Sequence, residues 1–164
     1  MAESVNVRAA TTANTPYLRR SLTAAFASPL LVVHGELIDA AQLPAAVARQ
    51  RGELAGHLVW RPEPGGDWEI VSLVADRSGA GIGSALLDWI CAEARRARVT
   101  RLWLVTTNDN TKALRFYQRH GFDLVALHRN AVARARALKP QIPLESDGIP
   151  LRHELELELR LPQQ

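Results

Sequence analysis

The stretch Arg77-Ser78-Gly79-Ala80-Gly81-Ile82-Gly83-Ser84-Ala85-Leu86-Leu87 sets glycine at every second position and then runs into a helical apolar pattern. That pattern has a chemistry. The first four N–H groups of a helix lack intrahelical partners, and the macrodipole makes that end positive. An anion, phosphate above all, binds there when it can come close, and glycine removes the Cβ that would block it. Arg77 adds a cation beside the turn. Two familiar phosphate loops do not fit. A Walker loop needs lysine before Ser or Thr, and here Gly83 leads to Ser84 and Ala85. The dinucleotide pattern G-x-G-x-x-G would need glycine at 84 or 86, where Ser84 and Leu86 stand. The residues alone leave two readings open, a phosphate cradle or a tight strand-to-helix turn.

The elements that must position this loop follow from hydrophobic period. Residues 5–10 read as a strand, and 12–27 as a helix carrying Tyr17, Leu18, Leu22, Ala25 and Phe26, broken by Ser28-Pro29. Residues 30–43 read as extended pieces and a loop. Residues 45–50 and 53–61 form a hairpin around Arg51-Gly52, 62–66 is a turn, and 67–75 is the strand ahead of the glycines. The helix after them runs to about Arg98 with Ile82, Leu86, Ile90, Ala94 and Ala97 on one face. Strand 101–107, helix 111–119 stopped at His120-Gly121, strand 122–129, an irregular 130–150 and a strictly alternating strand 153–161 complete the chain. Helices interleaved with mostly antiparallel strands imply an α/β (α+β) sandwich rather than a doubly wound sheet.

Composition narrows the function. The 164 residues suit one domain, with 47% hydrophobic and 23% charged residues, the balance of a globular chain. The lone Cys91 excludes an internal disulfide or cysteine metal cluster, and the scattered His34, His57, His120, His128 and His153 argue against a metal site. No signal-like start or long apolar run is visible, so a cytoplasmic protein without a membrane span is expected. The pI near 9.6 comes from arginines spread over several elements, which argues against one nucleic-acid face. Trp60, Trp68, Trp89 and Trp103 are expected to pack, with Trp60 or Trp68 able to line an acceptor pocket.

Downstream, "TTNDNTKALRFYQRHGF" sets Asn108 and Asn110 at a strand end, then Ala113, Phe116 and Tyr117 on a short helix, then Gly121-Phe122. Here the chain resembles the GNAT superfamily of acyl-CoA-dependent N-acyltransferases. Ser78-Gly79-Ala80-Gly81-Ile82-Gly83 is similar to that family's pyrophosphate loop, and Asn110 through Phe122 to its second motif. The match is clear over 52–127, with 130–164 a C-terminal extension of a single domain, 1–164. One position departs: the family's Arg or Gln is Ser78 here, with Arg77 one residue earlier. The tail, with its Lys-Pro-x-Ile-Pro segment, also looks like that of a bacterial subgroup.

The resemblance implies a mixed, mostly antiparallel sheet of six to seven strands with a splayed central pair, 67–75 and 101–107, and helices on both faces. It implies acetyl-CoA as co-substrate, held by the backbone of Val71 to Val74, Leu73 included, and by residues Ser78, Gly79, Ala80, Gly81, Ile82, Gly83 and Ser84. Asn108, Asn110, Ala113 and Phe116 would complete its site. An amine would attack the thioester directly. Tyr117 would be the general acid; a phenol of ordinary pKa about 10 carries a proton at neutral pH. The base is expected on the strand before the loop, where Glu69 is preferred and Asp67 shares its parity. Segment 130–152, with Arg134, Lys139 and Arg152, is expected to fold over the acceptor cleft or to serve as a structural or dimer arm. The alternating last strand offers an edge for a possible homodimer. The alternative to an enzyme is a non-catalytic acyl-CoA-binding regulatory module.

Overall fold

A computed structural model describes residues 3–162. Strand β1 (Asn6–Ala9) leads through a 3-10 turn into α1 (Thr15–Phe26), whose Pro16 occupies the first turn, where no donor is needed. A hairpin follows, β2 (Leu30–Val33) and β3 (Glu36–Asp39). Then come β4 (Ala45–Gln50), β5 (Glu53–Pro62), β6 (Trp68–Ala75), α2 (Ile82–Arg96), β7 (Arg101–Thr107), α3 (Thr111–Arg119) and β8 (Asp123–His128). The last part holds α4 (Ala131–Ala135), the two-residue strands β9 (Glu145–Ser146) and β10 (Ile149–Pro150), and β11 (Glu154–Arg160).

Seven strands form one sheet in the order β1-β4-β5-β6-β7-β11-β8. Every neighbouring pair is antiparallel except β6 and β7, which are parallel. A parallel pair needs a crossover, and α2 supplies it. The pairing of β6 with β7 is short: Trp68 faces Leu102, Glu69 faces Trp103, and beyond these two rungs the strands part. The splayed pair is therefore real, with Glu69 at its apex.

Both faces of the sheet are covered, so the strands read as near-continuous apolar runs. On one face, Leu86, Leu87, Ile90 and Ala94 of α2 pack on Ala46, Ala48 and Leu58, joined by Tyr117 and Phe122. On the other, Leu18 and Leu22 of α1 pack on Ala45, Val47 and Val59. The alternation along β4 is the pleat sending successive residues to opposite layers. Gly56 sets how closely α2 approaches: a Cβ there would lie 2.7 Å from Ile82 Cγ2 and 2.7 Å from the Val74 carbonyl oxygen. Trp60, Trp68 and Trp89 stack on one another, at centroid distances of 5.7 Å for both Trp60 pairs, and so pack as expected. Buried His57 bonds Ser21 Oγ and Ser72 Oγ at 2.8 Å each, and burial pushes its pKa down to about 4, so it stays neutral.

Two expectations need correction. The last strand is not an edge. β11 is paired on both sides, by β7 and β8, because the chain returns between them, so it cannot extend the sheet into a second copy. The sheet's edges are β1 and β8. Segment 130–150 is also not wholly irregular: it carries α4 and the β9–β10 hairpin, each too short to leave a periodic trace. No helix among the described residues is long and apolar enough to cross a membrane.

Candidate active site

The glycine loop is built as a donor cradle. Gly79 and Gly81 have φ of +74° and +76°, and Gly81 is the N-cap of α2. Such left-handed values cost a residue with a Cβ about 1–2 kcal/mol. A Cβ on either would meet no protein atom within 4 Å, so the space in front of them is open. Gly83 packs instead: its Cβ position lies 3.4 Å from Phe116. Among the described residues, no hydrogen bond from the amides of Gly79 or Gly81 through Ser84 to protein is formed; the first donor of the helix is Ala85, to the Gly81 carbonyl. Ala80 is tied back through its carbonyl, 3.4 Å from Gln50 Nε2. Arg77, Gly79, Ala80 and Gly81 line a surface cavity of about 540 Å³ at the same place, together with Gln50 and the ion pair of Arg51 with Glu3. Free amides, a helix dipole and the Arg77 guanidinium converge there, the local chemistry an anion needs.

His120 links this loop to the helix of the second motif. Its Nδ1 lies 2.8 Å from the Phe116 carbonyl, which can only accept, so Nδ1 carries the proton. In the neutral ring Nε2 then accepts from Ser84 Oγ at 3.1 Å. Asn110 caps α3, its Oδ1 accepting from the Ala113 amide at 3.1 Å. Asn108 faces elsewhere. Its Nδ2 donates to the Pro150 carbonyl and its Oδ1 accepts from the amides of Arg152 and His153, so its side chain holds the C-terminal segment.

Between loop and apex, β6 offers a free edge. From Ile70 to Ala75 it has β5 on one side and no strand on the other, since β7 has diverged. The register slips between Val59 and Trp60, leaving Val71 as an extra residue on β6, a bulge at the fork. Six steps of strand, from Glu69 to Ala75, cover about 20 Å. Val71, Leu73 and Val74 lie along this edge, Val71 on the α1 side and Leu73 packed against the α2 layer.

At the apex sits Glu69, only 1% exposed and therefore no solvated edge charge. Its Oε1 accepts from His34 Nε2 at 2.7 Å and its Oε2 from Arg61 at 2.9 Å. His34 is the residue sequence reasoning missed. It occupies the two-residue turn His34-Gly35 between β2 and β3, with φ of 49° and 82°, and stacks on Trp103 at 5.1 Å. The hydrogen bond to Glu69 raises its pKa above the ordinary histidine value, against the opposing effect of burial. "VVHGEL" does read as a hairpin turn, yet nothing local says that the turn folds back 35 residues onto Glu69. Asp67 goes the other way, to Arg101 at 3.4 Å.

Glu69 opens into a cleft of about 750 Å³. Its walls are the last turn of α1, strand β2, the fork, and residues Val132 to Leu151 of the C-terminal segment. That segment does fold over the cleft, and it is firmly held. Arg136 donates to the carbonyls of Ile142, Pro143 and Leu151 at 2.8–3.1 Å, and Lys139 donates to the Phe26 carbonyl at 2.7 Å. Of the cations singled out there, Lys139 lines the cleft, Arg134 bonds the Arg129 carbonyl and lines a neighbouring cavity of about 340 Å³ with His34, His128 and Glu154, and Arg152 donates its amide to Asn108 Oδ1. Neither Trp60 nor Trp68 lines the cleft; Trp103 stacks on His34, which bonds Glu69 from outside it. A second missed residue, Glu154, lines it as well, and burial raises its pKa.

Tyr117 is 7% exposed on the buried face of α3, edge-on to Phe116 at 5.1 Å and Phe122 at 5.4 Å. Burial alone raises its pKa above that of an ordinary phenol, so the hydroxyl is protonated throughout the neutral range. Cys91 is buried in the core, with its thiol pKa raised by the same cause.

Other chains are similar to this one in sequence and in fold. The Acetyltransferase (GNAT) family model matches residues 13–122. The uncharacterized protein YdhI of Bacillus subtilis (strain 168) is 40% identical over 111 residues, covering 67% of this chain and 69% of that one. Among solved structures, the IAA acetyltransferase from Bacillus cereus ATCC 14579 superposes with a TM-score of 0.79 at 22% identity, covering 96% of this chain and all of that one. A GNAT family acetyltransferase from Elizabethkingia anophelis, solved with acetyl-CoA bound, gives 0.70 at 18% identity over 96% of this chain and 98% of its own. The loop, the fork and the helices that flank them thus place this chain in the GNAT acetyltransferase family.

Proposed function

We propose that the protein is an acetyl-CoA-dependent N-acetyltransferase that passes the acetyl group directly to a primary amine. One observation carries this reading: the free edge of β6 and the unspent amides of Gly81 to Ser84 lie in line and end at a buried carboxylate. Residues Ser78 to Ser84 would hold the diphosphate, with Arg77 adding charge. The backbone of Val71, Leu73 and Val74 would pair with the pantetheine amides. On α3, Phe116 packs on Gly83 of the loop, Asn110 and Ala113 would complete the co-substrate site, and Asn110 would act chiefly by fixing that helix. The neighbour solved with acetyl-CoA supports the same co-substrate here. Acetyl-CoA supplies a thioester, an acyl group on a good leaving group.

The chain's own residues have two proton tasks. An ammonium has no lone pair, so the acceptor must first lose a proton. Glu69 would take it, directly or through water. Each of its oxygens has a second lone pair free beside the bond from His34 or Arg61. Tyr117 would hold a proton at Oη for the leaving sulfur. An ordinary thiol has a pKa of about 8.5, below that of a phenol, and burial widens the gap. Tyr117 would therefore serve the departing sulfur as a hydrogen-bond donor that keeps its own proton, while the proton shed by the nitrogen on acylation would end on the thiolate.

The test is a calorimetric titration with acetyl-CoA followed by thiol release with a panel of amines. Saturable binding and amine-dependent thiol release are expected. Binding without turnover on any amine would instead identify an acyl-CoA-binding regulatory module, and absence of binding would end both readings.

A further inference from the structure

The cleft beyond the apex carries a chemistry of its own. Three carboxylates line it, and they differ: Glu69, Glu154, and Asp109, whose Oδ1 accepts from Thr107 Oγ1. Glu69 has both oxygens engaged by cations. Glu154, the first residue of β11, has no hydrogen bond or ion pair from its side chain among the described residues. His34, His128 and Arg134 act on it from a distance, and Glu69 repels it. A half-buried carboxylate in that position lacks a close positive partner. The rest of the wall is mostly apolar. Phe26, Leu31 and Val33 stand on one side, and Val132, Ile142 and Leu151 on the other. The cation that does line the cleft, Lys139, is spent on the Phe26 carbonyl.

We infer that the acceptor is a small primary amine with an apolar body, its ammonium received by Glu154 and its body enclosed between the end of α1 and segment 132–151. This rests on the acetyltransferase reading and names its substrate class. A polyamine fits less well, because most of the wall is apolar and the one further carboxylate, Asp109, already accepts from the Thr107 hydroxyl. A peptide N-terminus fits less well too, since along a mostly apolar wall only Thr23, Thr107, Gln141 and Ser146 offer neutral polar side chains to its amides. The wall is not free to withdraw, being held by Arg136, Lys139 and Asn108. Glu154 thus binds the cation, and Glu69, at the apex, takes its proton.

The experiment compares 2-phenylethylamine and hexylamine with spermidine and a tetrapeptide bearing a free N-terminus, by thiol release from acetyl-CoA. The apolar amines should show kcat/KM at least about 10-fold higher, the value of burying a few methylene groups. Glu154→Gln should raise KM for 2-phenylethylamine about 10-fold or more by removing a charged partner, while acetyl-CoA binding by calorimetry stays unchanged. A second variant, Ile142→Trp, fills the apolar wall and should cost 2-phenylethylamine more than ethylamine. Preference for spermidine or the peptide overturns the inference and leaves the acetyltransferase reading intact. So does an unchanged KM in Glu154→Gln, or equal losses in Ile142→Trp. Absence of acetyl-CoA binding to the wild type overturns both.

Discussion

The two ends of the fork between β6 and β7 are built from different material. At the loop end the functional atoms are backbone amides, contributed by a few consecutive residues and exposed because Gly79 and Gly81 adopt left-handed dihedrals. At the apex they are side chains: His34 from a hairpin, Arg61 from β5, Glu69 from β6 and Glu154 from β11. Backbone groups can grip a diphosphate whatever side chains surround it, so this end suits a ligand shared by many relatives. Side chains gathered from distant segments can vary one at a time, so the apex suits an acceptor particular to this chain.

The sharpest way to separate the ends is to remove the chemistry and leave the binding. Glu69→Gln keeps shape and hydrogen-bonding capacity but cannot take a proton, and Tyr117→Phe removes only the hydroxyl. Each should lower kcat about 10²- to 10⁴-fold, the usual worth of a general acid or base. Acetyl-CoA affinity, measured by calorimetry, should change little in either. If either variant turned over at the wild-type rate, that residue would lose its assigned role.

The complementary change attacks the loop. Gly81→Val puts a β-branched residue at φ of +76° and a side chain into the open space before the amides. Acetyl-CoA affinity should fall about 10- to 100-fold, from strain of roughly 1–3 kcal/mol and lost approach. In the same variant, kcat at saturating acetyl-CoA should hold within a few-fold. A proportionate fall in kcat would show that the two ends are not separable.

This contrast also explains what could be read in advance. The loop, its helix and the second motif are contiguous, so residues 78–84 and 110–122 can be recognised in the sequence by their resemblance to the family's motifs. The strands of the central sheet are legible by period. His34 and Glu154 are not. His34 reaches Glu69 across 35 residues, and only the docking of the β2–β3 hairpin brings it there. Glu154 belongs to an alternating strand whose charged face looks solvated, until β11 proves to lie between β7 and β8 with the cleft at its start. Asn108 misled for the opposite reason. It stands beside a motif, yet its amide is taken by residues 150, 152 and 153.

A finer probe of the apex is pH. Glu69 raises the pKa of His34, so the imidazolium–carboxylate pair persists above the ordinary histidine value of about 6.5 and is lost as pH rises through the higher folded value. Its contribution to stability is complete below the ordinary value and disappears above the raised one. While the pair persists, the charged His34 ring occupies Oε1 of Glu69. The acid limb of kcat/KM should therefore lie above pH 6.5, and in His34→Asn it should move to lower pH. Acetyl-CoA affinity should show no matching limb, because no histidine of the apex reaches the loop. A limb that stayed in place in His34→Asn would break the link between the pair and the base.

The smallest effect expected sits at the joint between the two ends. Asn110 caps α3, whose Phe116 packs on Gly83 of the loop and whose Tyr117 faces the core. Asn110→Ala removes a cap of about 1 kcal/mol, or roughly 2–4 °C in melting temperature for a chain of this size. If the cap matters only through the helix, acetyl-CoA affinity should fall by no more than a few-fold, and Asn110→Ser or Asn110→Asp should restore both quantities, since either side chain can cap. Should Asp restore the melting temperature and leave acetyl-CoA binding weak, the amide must also meet the ligand directly, because only a carboxylate would repel a diphosphate it touched. The same helix end would then serve the fold and the co-substrate at once.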